Sequence, residues 1–198
     1  MSTTKTRNLL IDVARRLFAK TGLNGTTMND IAKASGKGRR TLYAYFANKE
    51  EVYAAVIKTE VDRVSDKMEE VAALDMEPEL KITTLIFTHL NMVKEAVVRN
   101  GNLRAEFFRN IWMVEKVRKA FDHEELELYR RVIKEGCEKG QFHVENEELT
   151  ADVIHYCIKG LEVPYIFGRL GNGMTMDSSR PVVVNMVRRM LGVTSARY

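Results

Sequence analysis

Apolar residues recur along this chain at steps of three and four, with no sustained alternation at steps of two. That periodicity predicts helices throughout and essentially no sheet. Leu9, Leu10, Val13, Ala14, Leu17 and Phe18 form one stripe of a helix over about Lys5 to Thr21, and Gly22 is its natural stop. Thr27 precedes a short helix over Met28 to Ala34, with Asp30 three residues on in the manner of a capping box. Ser35-Gly36 breaks the chain, and a third short helix is predicted from Gly38 to Tyr45. Asn48 caps a long fourth helix, with Glu50 and Glu51 in its first turn. Val52, Val56, Val61, Val64, Met68 and Val71 give that helix its apolar side, and Asp75 to Pro78 ends it.

Further helices are predicted over 79–99, 103–113, 116–139, 147–168 and 179–191, with Gly101, Gly140, Gly171 and Gly173 in the loops. Pro164 should kink or end the eighth helix, and Ser179 caps the ninth with Pro181 in its first turn. The expected fold is all-α, with about nine helices. A three-helix unit covers residues 1–47 and a larger helical domain covers 48–198.

Charge separates the two parts. Residues 1–51 hold ten basic side chains against four acidic ones, whereas the remainder holds 21 basic and 23 acidic. A basic head on a slightly acidic body suits a polyanionic partner, although a solvated helical surface could look the same. Cys137 and Cys157 have no metal-ligand spacing and read as reduced thiols. No segment approaches the roughly 18 apolar residues of a membrane span, and Lys5, Arg7 and Asp12 interrupt any signal core. A cytoplasmic protein without membrane contact is therefore expected. The HExxH, GxSxG, P-loop and GxGxxG patterns are absent, and the four histidines are scattered. Neither catalytic residues, a cofactor nor a metal site is expected.

Residues 28–45 read as helix, Gly-containing turn and helix, the layout of a helix-turn-helix. Its second helix is small enough for the major groove of DNA. Ile31 and Ala32 can pack the first of the pair, and Leu42 and Phe46 can anchor the second from inside. Lys37, Arg39, Arg40, Thr41 and Tyr43 then face outward. Arginine can donate two hydrogen bonds to guanine, while Thr and Tyr hydroxyls suit phosphate oxygens.

The runs Thr27-Met28-Asn29-Asp30-Ile31-Ala32 and Thr41-Leu42-Tyr43-Ala44-Tyr45-Phe46-Ala47-Asn48-Lys49-Glu50-Glu51, at this separation, resemble the tetracycline-repressor-like (TetR/AcrR) transcriptional regulators. Residues 14–27 resemble the first helix and following loop of that family, so the likeness covers about residues 7–52. It implies a sequence-specific DNA-binding regulator, most often a repressor that a small molecule releases from double-stranded DNA. Thr27 and Lys49 would bind phosphate at helix starts. Arg39, Arg40 and Thr41 would stand near bases and backbone. Tyr43 and Tyr45 would touch backbone or sugar, with half-buried core as the other reading of Tyr45. Lys37, Gly38 and Arg40 depart from the usual residues of the family, which bears on the operator sequence and not on the fold.

The resemblance also implies a homodimer built on the last two helices, matching a palindromic operator. Aromatic and soft side chains collect between residues 87 and 167. Phe87, Met92, Phe108, Trp112, Tyr129, His155 and Tyr156 are the candidate lining of an effector cavity, against the plainer reading that each is simple core. His89, Arg104 and Arg109 are further candidate polar contacts, together with His155. The effector is unknown. An enzyme and a non-specific architectural DNA binder are the other classes considered. The missing catalytic patterns disfavour the first, and the compact motif on a large acidic-leaning body disfavours the second.

Overall fold

The computed structural model describes residues 3–101, 111–170 and 176–193, with backbone alone at 111–113 and 176–177. Among the described residues there are eight helices and no strand. They are α1 (Thr3–Thr21), α2 (Met28–Ala34), α3 (Arg39–Tyr43), α4 (Lys49–Ala72), α5 (Pro78–Arg99), α6 (Ile111–Glu138), α7 (Glu147–Ile166) and α8 (Met176–Met190). None is long and apolar enough to cross a membrane. The expected helix over 103–113 falls largely outside the described residues. From Ile111 the chain is one continuous helix to Glu138, without the predicted break near 114.

The chain forms two compact units. The first comprises Met1–Arg63 with Glu95–Ala120, and the second Val64–Lys94 with Phe121–Tyr198. In the first, Leu10, Ala14 and Phe18 of α1, Ile31 of α2, Leu42 of α3 and Val52 and Tyr53 of α4 meet in one apolar core. The Phe18 and Tyr53 rings meet edge to face, 6.1 Å apart. Each of the larger apolar side chains among these contributes about 1.5–3 kcal/mol on burial, so this core is what holds the two short helices, α2 and α3, in place.

The ends of α2 follow from its sequence. Thr27 accepts from the Asp30 backbone N–H at 3.2 Å, and Asp30 accepts in return from the Thr27 backbone N–H at 2.9 Å. At the other end Gly36 takes φ +63°, a conformation that costs other residues energy. It lets the Lys37 N–H donate back to the Ala32 carbonyl at 3.1 Å, which turns the chain into α3. A similar box opens α4, where the Glu51 N–H donates to Asn48 and the Ala47 N–H to the Glu51 carboxylate, both at 2.8 Å. The third helix is shorter than its predicted span. Gly38 stands at its N-cap with no side chain to offer, and regular helix ends at Tyr43.

In the second unit the inward stripes are Ile82, Leu85 and Ile86 of α5, Leu128, Val132 and Ile133 of α6, Ile154 and Ile158 of α7, and Val187 of α8. Arg188–Glu79 (2.7 Å) and Lys81–Glu135 (3.3 Å) tie its helices at the rim. Asn146 caps α7, and Pro164 stands in its last turn, two residues before the helix ends. The last helix starts earlier than predicted, so Ser179 and Pro181 lie within it and not at its cap and first turn. Its end is a Schellman turn, with Val193 N–H donating to the Arg188 carbonyl at 2.9 Å around Gly192 at φ +61°. The His143 N–H donates to the Leu191 carbonyl at 2.9 Å, and the backbone of His143 lies so close to Gly192 that a Cβ there would collide with it.

Candidate nucleic-acid interface and buried polar cluster

The amphipathic character of α3 decides which side chains face out. Leu42 is fully buried and Phe46 nearly so, both against the core of the first unit. Arg39 and Arg40 are exposed, Tyr43 is 45% exposed, and Lys37 and Thr41 are half-buried. The Arg39 guanidinium lies 6.0 Å from the Tyr43 ring centre, one turn along, which orders a charge that would otherwise sweep freely. Two guanidinium groups and two hydroxyls therefore stand on a short helix that is anchored from beneath. That arrangement can donate to base edges and phosphates.

The remaining candidates behave differently. Tyr45 is half-buried and packs on the apolar core. Lys49 donates from Nζ to the Leu23 carbonyl at 2.7 Å, binding the loop before α2 to the start of α4. An ammonium carries three N–H bonds, so this contact leaves capacity for an anion. Thr27 is exposed, but its hydroxyl also donates to Asp30 Oδ2 at 2.6 Å. Those bonds hold the Asp30 carboxyl below its ordinary range.

The second unit buries its polar chemistry. His89 of α5 is wholly enclosed. Its Nε2 lies 2.9 Å from Glu162 of α7, within hydrogen-bond reach. Its Nδ1 lies 2.7 Å from Glu125 Oε1 of α6 but out of line for a hydrogen bond, so that contact is Coulombic. Tyr129 donates to the same Oε1 at 3.0 Å, and His155 Nδ1 lies 3.3 Å from Oε2. Burial opposes an imidazolium at His89, but the charges of Glu125 and Glu162 outweigh it and raise its pKa to about 9. Burial likewise pushes the Glu125 carboxyl up, and the His89 charge more than reverses this, holding it well below the carboxylate range. Burial first, and then Glu125, drive the Tyr129 phenol well above its usual value.

Of the candidate cavity residues, Tyr129 and His155 belong to this cluster. Phe87 is buried beneath the Arg180 guanidinium, 4.3 Å from its ring centre, and Met92 is half-buried. Phe108, Arg104 and Arg109 lie outside the described residues, as does the Trp112 side chain. Tyr156 is 67% exposed, and only its ring edge reaches the set, against the His155 ring with 5.1 Å between centres. Successive helical residues turn by roughly 100°, so a residue two places from inward-facing Ile154 points nearly the opposite way. Sequence reasoning missed Glu125 and Glu162. The available signal was an acidic residue set into an apolar stripe, at Phe121-x3-Glu125-x3-Tyr129 and at Ile158-x3-Glu162.

Residues 10–56 match the family described as "Bacterial regulatory proteins, tetR family". The HTH-type transcriptional regulator YhgD of Bacillus subtilis is 26% identical over 153 residues, 75% of this chain and 78% of the relative. The HTH-type transcriptional repressor KstR2 of Rhodococcus jostii is 33% identical over 82 residues, 41% of this chain and 40% of the relative, so the stronger identity spans less than half of either protein. The fatty acid degradation regulator FadR from Bacillus halodurans superposes over the whole of both chains with a TM-score of 0.69 at 21% identity, a likeness of fold. Residues 10–56 carry the helix-turn-helix of the tetR family of bacterial regulatory proteins, and the chain is a DNA-binding transcriptional regulator.

Proposed function

We propose that this regulator is a homodimeric repressor that reads a palindromic operator with α3 and leaves it when a small molecule binds the helical body. The observation that carries the reading is the outward set Arg39, Arg40 and Tyr43 over a fully buried Leu42. Arg39 and Arg40 meet base edges. Lys37, Thr41, Tyr43, Tyr45 and Lys49 meet the sugar-phosphate backbone, with Thr27 at the start of α2. The functional division runs between a reading head, residues 1–47, and a body, residues 48–198, in the cytoplasm. The similar KstR2 of Rhodococcus jostii is a transcriptional repressor, which supports that sign of regulation.

Dimerisation rests on a second feature. Leu149, Val153, Tyr156 and Val163 leave an exposed apolar stripe along α7, and Val182 of α8 is 64% exposed. Apolar area of this kind on one face is where a second copy gains most by packing. Tyr156 belongs to that face in this reading and not to the effector site. Phe87, Met92, Phe108, Trp112, Tyr129 and His155 remain the effector candidates, and binding would act by shifting the population of DNA-competent dimers.

The test is fluorescence anisotropy of the purified protein on palindromes from upstream of its own and neighbouring genes. Specific binding should exceed binding to random DNA by roughly 10³-fold or more and should weaken steeply with salt. Equal affinity for every duplex would refute the operator reading.

A further inference from the structure

We propose that Asp122, Glu125 and His155 form a binding site for a divalent transition-metal ion of the zinc or cobalt type. Asp122 and Glu125 are three residues apart on α6, so they share a face. His155 comes from α7, and one ligand atom from each of the three lies within 4.8 Å of the others. Glu125 and His155 are 1% and 3% exposed, so these donors are withdrawn from water.

The second observation is the state of the His155 ring. Its Nδ1 is buried and has no hydrogen-bond partner, although Glu125 Oε2 is only 3.3 Å away. A buried ring nitrogen left unpaired costs about 1–3 kcal/mol. Two donors that each bind a tetrahedral ion at about 2.0–2.1 Å sit roughly 3.3 Å apart, because the ion and not a proton lies between them. The Nδ1 to Oε2 separation and its misalignment fit that arrangement.

The surroundings orient the donors as outer-shell groups do. Glu125 Oε1 accepts from the Tyr129 hydroxyl at 3.0 Å, which turns Oε2 toward His155. Lys159 donates to Asp122 Oδ2 at 2.6 Å and fixes that carboxylate. The Lys159 charge also opposes a second cation, so Glu125 and His155 set most of the affinity and Asp122 less. An imidazole with two carboxylates suits zinc, cobalt or nickel better than calcium or magnesium. Three protein donors leave a coordination position for water or another donor.

The test is titration of the untagged, chelator-treated full chain with Co2+, followed by its visible absorption, and with Zn2+ by calorimetry. One ion per chain is expected. Glu125→Gln and His155→Ala should remove the saturable cobalt band, and Tyr129→Phe should weaken binding about tenfold. His123→Ala, at an exposed histidine, should leave it unchanged. If His155→Ala loses its helical circular dichroism, Asp122→Asn is the variant to read, and it should bind several-fold more weakly while staying folded. Absence of a saturable band in the wild type, wild-type binding by folded His155→Ala or Asp122→Asn, or loss of the band in His123→Ala would each overturn the proposal.

Discussion

The two units treat charge in opposite ways. The helix-turn-helix part of the first keeps an apolar core and holds Arg39 and Arg40 in solvent, where a duplex could meet them without prior rearrangement, while the buried charges of that unit, Glu60 and Arg118, lie outside this part. The second takes His89, Glu125, His155 and Glu162 into its interior and satisfies them largely with one another. Exposed charge costs little to carry, and its partner is supplied from outside. Buried charge is tolerated only while each partner remains, so it couples the positions of three helices. The first arrangement suits contact with another molecule. The second suits a site whose geometry must stay fixed, or must change all at once.

The sharpest way to break this contrast is Glu125→Ala. It takes away one of the two carboxylates that face His89 and leaves the Tyr129 hydroxyl without its acceptor, and should cost the metal-free protein about 3–5 kcal/mol in urea unfolding. A loss below about 1 kcal/mol would mean that the cluster is hydrated and that the contrast is false. By comparison, Arg39→Ala and Arg40→Ala should leave unfolding nearly unchanged while each weakens operator binding by about 1–3 kcal/mol. Equal weakening on random DNA would reassign them to phosphate contacts. A further contrast lies in Thr27→Ala, which removes a helix cap at the surface and should lower stability by about 1 kcal/mol, read as a shift in melting temperature.

Lys49→Met should reduce the salt slope of DNA binding by about one unit if its ammonium meets phosphate. An unchanged slope would leave it only the structural bond to the Leu23 carbonyl. The smallest effect concerns acid. Because Asp30 sits below its ordinary value of 3.8, its contribution is complete above that pH and is lost as the pH falls through the lowered value. Asp30→Asn should therefore lower the neutral plateau slightly and flatten the acid limb of unfolding below about pH 4, where the two proteins converge.

The head was legible in the sequence because its needs are local. A cap, a glycine turn and an inward Leu42 lie within twenty residues, and each constrains the next. The cluster in the body was not, because its members come from α5, α6 and α7 and no spacing along one helix joins them. Tyr129 and His155 were singled out by residue type alone, as lining for an effector site and not as members of a buried polar cluster, and the same criterion grouped the exposed Tyr156 with them. Helix phase, which separates Tyr156 from Ile154, was the better guide. The start of α8 was misjudged because Ser179 and Pro181 mimic a cap and a first turn, while the helix forms three residues earlier.

The close approach of Gly192 to the backbone of His143 has its own consequence. Main-chain atoms, which no substitution elsewhere can alter, fix the rotation of α8 about its axis. The outer surface of that helix, apart from the apolar face that holds Val182, can therefore drift in sequence while still pointing the same way. Descendants could acquire new partners there through surface changes alone, provided position 192 stays without a side chain.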